Sequence, residues 1–389
     1  MNSNKLILEP WEIDFNERVK EFKQAKKEGK KIALYYAKAP DSSTYRYRVY
    51  NVYEVLNKSE EWRAAFFYRD EIKTIEKLIP EADLFIYSRQ SRWDKKIKKL
   101  SLIAKQNKVP LLFDLDDLVF DKKYVMVVVN TIGETHNFDF WVPYFDRIQK
   151  TAEQVDGFLV TNDFLGEKIG ASFLKPYRVI RNSLNDAQIA ASNAYLGFKR
   201  YPGEGKKFVI GYFSGSPTHV NDLAVALPEV LEFLGKHRDA VLRVVGLMEF
   251  DGRAEKYLSN GQIEFLPPVD FRKLQRLMTE VDVNIAPLVI NDFTNCKSEL
   301  KFFEAAAVET TTIASPTYTF KHAIRDGENG YLARPGEWYD KLEYLYQHPE
   351  INRKVAMAAK KYAQKHYYGK EFLKEVEAAY DYFAKDTKK

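Results

Sequence analysis

The residue types best suited to chemistry gather in Asn291–Pro316, NDFTNCKSELKFFEAAAVETTTIASP. Lys297, Lys301 and Glu304 recur at i, i+4 and i+7, so a helix would carry two ammonium groups and a carboxylate on one face. Leu300, Phe303 and Ala307 form the apolar stripe beside them. A helix whose first residues are Asn295, Cys296, Lys297 and Ser298 offers free backbone N–H groups to an anion, and with two lysines nearby it suits a diphosphate. Glu304 lies about 9 Å farther on, at ~1.5 Å per residue, a reach that suits hydrogen bonds from a ribose. The same spacing also describes a solvated helix face of paired Lys and Glu.

Further polar clusters close other apolar runs. Pro110–Asp121, PLLFDLDDLVFD, places Asp114, Asp116 and Asp117 at the end of a buried strand, as site carboxylates or as caps and backbone acceptors. Arg89 ends the preceding strand, DLFIY. Arg46 and Arg48 follow the first strand, where a cleft would let them meet phosphate, or where surface carboxylates would pair them. Ser214, Gly215 and Ser216 make a small turn after FVIGYF, open enough for backbone to approach a phosphate, and His219 follows as a site histidine or a cap.

Elements that would position these groups alternate along the chain. Apolar strands are expected at 31–36, 64–68, 83–87, 110–114, 157–161 and 177–180, and again at 208–213, 240–246, 263–266, 281–288 and 311–314, with helical segments between. The pattern loosens around Pro202, Gly203 and Gly205, which places a boundary near 186–205. The expected fold class is α/β: two doubly wound Rossmann-like domains, 1–190 and 205–370, facing a central cleft, with a final helix at 371–389 packing back on the first. One long helix is expected over 222–236. Residues 122–150 read as irregular, with Asn137–Tyr144 (NFDFWVPY) an acceptor-side loop or a lid. The lysines at 95, 96, 98 and 99 form either a solvated helix face or a membrane-surface patch backed by Trp93, Ile97 and Leu100.

Composition sets bounds. The chain has 389 residues, 45% hydrophobic and 30% charged, as in a soluble globular protein of two domains. Its net charge of +5 allows anionic partners but is too small to argue for nucleic acid. A single cysteine, Cys296, excludes an intramolecular disulfide and a cysteine-based zinc site, and fits the cytoplasm. No apolar run reaches the ~20 residues of a membrane helix, and the N-terminal residues lack a secretory pattern.

The ordered series GYFSGSPTHVNDL, LRVVG, PPVDFRKLQRLMTEVDVNIAPL, CKSELKFFEAAAVETTTIASP and IRDGENGYLA resembles the retaining GT-B glycosyltransferases of family four, especially bacterial members of cell-surface polysaccharide synthesis. STYRYRVYN and LLFDLDDLVFD in the first half are similar to the same subgroup. The resemblance implies transfer, with retention, of a sugar from a UDP-, dTDP- or GDP-sugar to a glycan or lipid-linked glycan. It implies no cofactor or metal, and a cytoplasmic location extending to the inner membrane face. Glu304 matches the acid that binds the ribose. Lys297 and Ser298 match positions beside the diphosphate, and Ser214, Gly215 and Ser216 the loop on its other side. Lys301 joins the donor set. Asp114, Asp116, Asp117 and Arg89 fall on the acceptor side.

The chain departs from that pattern twice. Cys296 stands where the family has an acid contacting the donor sugar, and Ser214 and His219 stand where it commonly has Arg and Lys. The leaving-group charge then falls to Lys297, Lys301, Arg46 or Arg48, with His219 a further catalytic candidate. LLFDLDD also resembles the first motif of haloacid-dehalogenase-like phosphohydrolases and the Asp-x-Asp metal site of the other large glycosyltransferase fold. A magnesium-dependent phosphohydrolase using Asp114 and Asp116 is therefore one alternative. A non-catalytic glycosyltransferase-like scaffold is another.

Overall fold

The computed structural model describes residues 9–38, 43–90, 94–134, 137–199, 201, 203–204, 207–214, 220–246, 248, 250 and 252–385. Gly215, Ser216, His219 and Trp93 lie outside the described residues.

Among the described residues twelve strands form two parallel sheets. The first contains β1 (Lys31–Ala37), β2 (Trp62–Tyr68), β3 (Leu84–Ser88), β4 (Leu111–Leu115), β5 (Gly157–Val160) and β6 (Tyr177–Val179), in the order β2-β1-β3-β4-β5-β6. The second contains β7 (Phe208–Phe213), β8 (Ala240–Val245), β9 (Ile263–Leu266), β10 (Val283–Ala286), β11 (Thr311–Ala314) and β12 (Tyr331–Leu332), in the order β12-β11-β10-β7-β8-β9. Helices cover both faces, so central strands such as β1 and β7 are apolar on both sides rather than alternating. This is the doubly wound pair of Rossmann-like domains that the sequence pattern implies. Strand order reverses between β1 and β3 in one sheet and between β7 and β10 in the other. Ligands of such sheets bind outside the carboxyl ends of the strands at these points.

Several segments differ from the sequence reading. Asn137–Tyr144 is not a loop: Phe138–Ala152 is one helix, because Phe145, Ile148 and Ala152 bury a stripe that outweighs Pro143 in its second turn. The loosened stretch after Ser183 contains a helix, Asp186–Tyr195, started by a reciprocal cap between Asn185 and Gln188. Ser192 on it donates to Gln275 of the Phe271–Thr279 helix at 3.1 Å, tying it to the second domain. The single helix expected over 222–236 is two, Val220–Ala224 and Leu227–Lys236, broken ahead of Pro228. On the lysine-rich Lys95–Gln106 helix, Ile97 and Leu100 are buried in the first core. These two residues are therefore not available to a bilayer, and the lysines at 95, 96, 98 and 99 are exposed.

The chain ends with two helices, Pro349–His366 and Lys370–Lys385, turned at Gly369, whose φ of 73° is left-handed and costs glycine little. Phe372, Val376 and Tyr380 of the last helix enter the core beneath β1 and β3. Glu375 takes the Arg181 side chain and backbone N–H, while Asp381 takes Lys31 and the Trp62 indole. Among the described residues no helix is long and apolar enough to cross a membrane.

Candidate functional site

The candidate residues converge where the carboxyl edges of the two sheets meet, but the local structure differs from the simple helix that their spacing implies. A short turn, Asp292–Asn295, is capped by Asn291, and the main helix begins only at Leu300 and runs to Ala307. The cause lies in the first domain. Asn162 donates its side-chain amide to the Cys296 carbonyl at 2.9 Å, which takes the acceptor that an uninterrupted helix would offer to Leu300. Lys297 and Ser298 therefore sit in the connecting segment, and only Lys301 and Glu304 share the helix. These four candidates still gather, each fastened to the other domain or to β7.

Ser298 accepts from the Asn182 amide at 2.8 Å. Lys297 faces Asp117 at 3.4 Å and lies over the Phe293 ring at 4.2 Å. The Lys301 ammonium donates to the Phe213 carbonyl at 2.7 Å and lies 4.5 Å from the Tyr212 ring centroid. That carbonyl ends β7, one residue before Ser214. Burial lowers the Lys301 pKa to about 8. Asp222 and Glu304 oppose the shift, and the Lys297 charge adds to it. Ser214 is buried at the same strand end, where its N–H donates to Val245 at 2.8 Å. Gly246 closes against it: φ is 128°, and a side chain there would meet the Ser214 carbonyl.

Glu304 is buried on a helix whose Phe302, Phe303, Ala305, Ala306 and Ala307 are also buried. The Tyr47 hydroxyl of the first domain donates to its Oε1. Burial pushes the Glu304 carboxyl above the usual range, with Arg46, Tyr47 and Lys301 pulling against that rise.

Arg48 is not a cleft residue. It is fully buried, and its guanidinium grips Asp114 with two bonds of 2.7 and 3.1 Å while also reaching Asn182 and the Ile180 carbonyl. The expectation that Arg48 meets phosphate is therefore overturned. So is the use of Asp114 as a nucleophile or acceptor contact, because both of its oxygens are engaged. Burial raises Asp114 to about 6 and Arg48 holds it there, leaving the pair ionised at neutral pH. Asp116 and Asp117 instead meet Arg89 at 3.1 and 2.8 Å, and Asp116 also accepts from Thr44. Burial works to raise Asp117, but Lys297 and Arg89 outweigh it and hold its carboxyl below the usual range. Arg89 has a left-handed φ of 39°, which turns its side chain between these carboxylates and the Tyr144 hydroxyl. Among the described residues no group of three metal-ligating side chains is gathered.

Cys296 is fully buried and packs with Phe293 into the first core. Burial pushes its thiol up, so it supplies no thiolate. Arg46 lies across the interface, 5.0 Å from the Tyr47 ring and 5.1 Å from that of Phe271 in the second domain. The residues that hold this junction and that spacing did not single out are Tyr47, Asn162, Asn182 and Gln188. Their only sequence signal was position, Tyr47 between the two chosen arginines and Asn182 three residues after the end of β6.

Residues 207–348, a little over a third of the chain, match the family described as Glycosyl transferases group 1. No curated protein sequence matches. Among solved structures, a sucrose-phosphate synthase from Thermosynechococcus elongatus aligns with TM-score 0.59 and 13% identity, over 92% of this chain and 100% of that one. HepE of Anabaena in complex with UDP aligns with TM-score 0.56 and 13% identity, over 92% and 100%. WaaG, a glycosyltransferase involved in lipopolysaccharide biosynthesis, aligns with TM-score 0.58 and 12% identity, over 90% and 99%. At such identities the likeness is one of fold, and the chain has the GT-B architecture.

Proposed function

We propose that the chain is a retaining glycosyltransferase that moves a sugar from a UDP-, dTDP- or GDP-sugar to a glycan or lipid-linked glycan in bacterial surface-polysaccharide synthesis. It would act in the cytoplasm and, for lipid-linked acceptors, at the inner membrane face. One observation carries the reading. Glu304, buried, and Lys301, half-buried, stand one turn apart on one helix at the carboxyl edge between β7 and β10, in a GT-B cleft and inside the span that matches the glycosyltransferase family. The UDP complex of the Anabaena relative supports a nucleoside diphosphate as the ligand class.

In this reading Glu304 accepts hydrogen bonds from the ribose, and Lys301, Lys297, Ser298 and Ser214 surround the diphosphate. The acceptor oxygen bonds to the anomeric carbon as the sugar–phosphate bond breaks, and the acceptor proton passes to the departing phosphate. Ammonium groups already fixed where that charge develops lower the barrier without reorganising. Asp116, Asp117 and Arg89 line the acceptor side. Arg46 becomes available to the leaving group only if it quits its aromatic stack. Activity in EDTA would test the absence of a metal requirement, and the product's anomeric configuration by NMR would test retention.

A thermal-shift panel of nucleotide sugars is the direct test. A donor at a hundredfold its dissociation constant adds about 2.7 kcal/mol, which raises the melting temperature by roughly 5–11 °C for domains of this size. A folded chain that no nucleotide sugar stabilises overturns the proposal.

Lys301 gives the binding a pH signature. Its folded pKa lies below the ordinary 10.5, so its charge costs stability at neutral pH, and that cost is relieved as pH rises from about 8 toward 10.5. Only the charged form attracts a diphosphate. Nucleotide affinity is expected to fall about tenfold between pH 7 and pH 9, with proton uptake on binding near pH 8.5. Calorimetry in buffers of different ionisation enthalpy reads both. A flat profile that Lys301→Met leaves unchanged removes Lys301 from the diphosphate site.

A further inference from the structure

The Tyr47 contact carries more than packing. Its hydroxyl donates to Glu304 across the domain junction and accepts from the Gln188 amide at 3.3 Å, which fixes the phenol's orientation. Its ring is 6.2 Å from Phe303 in an edge arrangement, beside the carboxylate it caps. The turn that presents it, Arg46–Tyr50, is π-helical, a rare geometry that recurs at functional sites. Arg48 anchors this turn through Asp114, while Arg46 holds its guanidinium between Tyr47, Phe271 and Trp11, with its buried Nε unpartnered.

A carboxylate has about four acceptor positions, and a buried one is costly unless they are used. Among the described residues Tyr47 is the hydrogen-bond donor to Glu304. A phenol hydroxyl is the simplest protein stand-in for a sugar hydroxyl. Resting on the assignment of Glu304 to the nucleotide ribose, we infer that Tyr47 is a gate of the donor site: its hydroxyl fills the ribose seat in the nucleotide-free enzyme and must leave before a nucleoside diphosphate can bind.

The consequence is an intramolecular competitor. Each donor that binds must break the bond between Tyr47 and Glu304, so the phenol hydroxyl weakens nucleotide binding and sharpens selection. A nucleotide whose ribose or deoxyribose hydroxyl reaches Glu304 repays the exchange, whereas a bare diphosphate does not. Departure of Tyr47 also opens the stack around Arg46, which frees a guanidinium beside the leaving group only once the donor is seated.

Calorimetry with UDP, dTDP and GDP on the full chain tests the gate. Tyr47→Phe keeps the ring and its packing and removes only the competing hydroxyl. The nucleotide that binds the parent is expected to bind the variant about tenfold more tightly, the equivalent of one charge-assisted hydrogen bond. The gain should appear in the association rate, because the lost contact belongs to the free state alone. Parent binding with equal or weaker binding by Tyr47→Phe overturns the gate and leaves the glycosyltransferase reading standing. Undiminished binding by Glu304→Gln overturns the ribose seat on which the gate depends. If all three nucleotides fail on both folded proteins, the functional reading and the gate fall together.

Discussion

Glu304→Ala is expected to lose nucleotide binding by about 10²–10⁴-fold while the folded chain stays as heat-stable as the parent or becomes more so. A hydrogen bond to a charged acceptor contributes about 1.5–3 kcal/mol, and a ribose offers two. Their joint loss, roughly 3–6 kcal/mol, gives that range at about 1.4 kcal/mol per tenfold. Stability moves the other way for an electrostatic reason. The folded pKa of Glu304 is raised, chiefly by burial, so the folded chain holds this proton more tightly than the unfolded one. Stability is therefore lost as pH rises from the ordinary carboxyl range through the raised value, and the ionised group burdens the fold at neutral pH. Glu304→Gln removes that burden without opening a cavity. Calorimetric melting at pH 5 and pH 7.5 should show the variant gaining on the parent at the higher pH. A residue whose removal stabilises the fold but abolishes binding is held in place by function. Near-parental affinity in both variants would sink the ribose assignment, and a large fall in melting temperature for Glu304→Gln would reassign the carboxylate to structure.

The two sheets were legible because strands buried on both faces read as unbroken apolar runs, such as Phe208–Phe213, whatever the distant sequence does. Glu304 and Lys301 were legible for a related reason, since they share one helix and their spacing alone fixes their relation. Arg48 and Asp114 were misread as site residues because their partnership spans 66 residues, and nothing local distinguishes a charge that meets a ligand from one that meets another buried charge. The late helix start at Leu300 has the same origin: Asn162 captures the Cys296 carbonyl from 134 residues away. Tyr47 carries no such local signal, standing between two arginines whose charge suits a phosphate. In the fold one of those arginines is an anchor, the other lies in an aromatic stack, and the neutral residue reaches the carboxylate.

Arg48→Met is expected to cost about 3–5 kcal/mol, a fall in melting temperature of roughly 6–20 °C, although Arg48 touches no ligand. The side chain is wholly buried and holds both oxygens of Asp114. Its removal strands a carboxylate that burial already pushes up to about 6 with the guanidinium in place. Without that partner the Asp114 carboxyl rises further and must take up a proton or unfold its surroundings, so the deficit should shrink as pH falls toward 6 and level off below it. Replacing both residues, Arg48→Met with Asp114→Leu, removes the two desolvation costs together and is expected to recover most of the loss, since buried ion pairs often break even against apolar substitutes. Binding should not recover as fully. Arg48 also ties the Arg46–Tyr50 turn to the Ile180 carbonyl and to Asn182, and Asn182 in turn holds Ser298. A double variant that melts like the parent but binds nucleotide with altered affinity would mark the pair as a positioning device for the donor site. Restoration of both properties would confine it to the core. A single Asp114→Asn variant that keeps its stability while abolishing magnesium-dependent phosphate release would instead return Asp114 to chemistry, against the geometry in which both of its oxygens belong to Arg48.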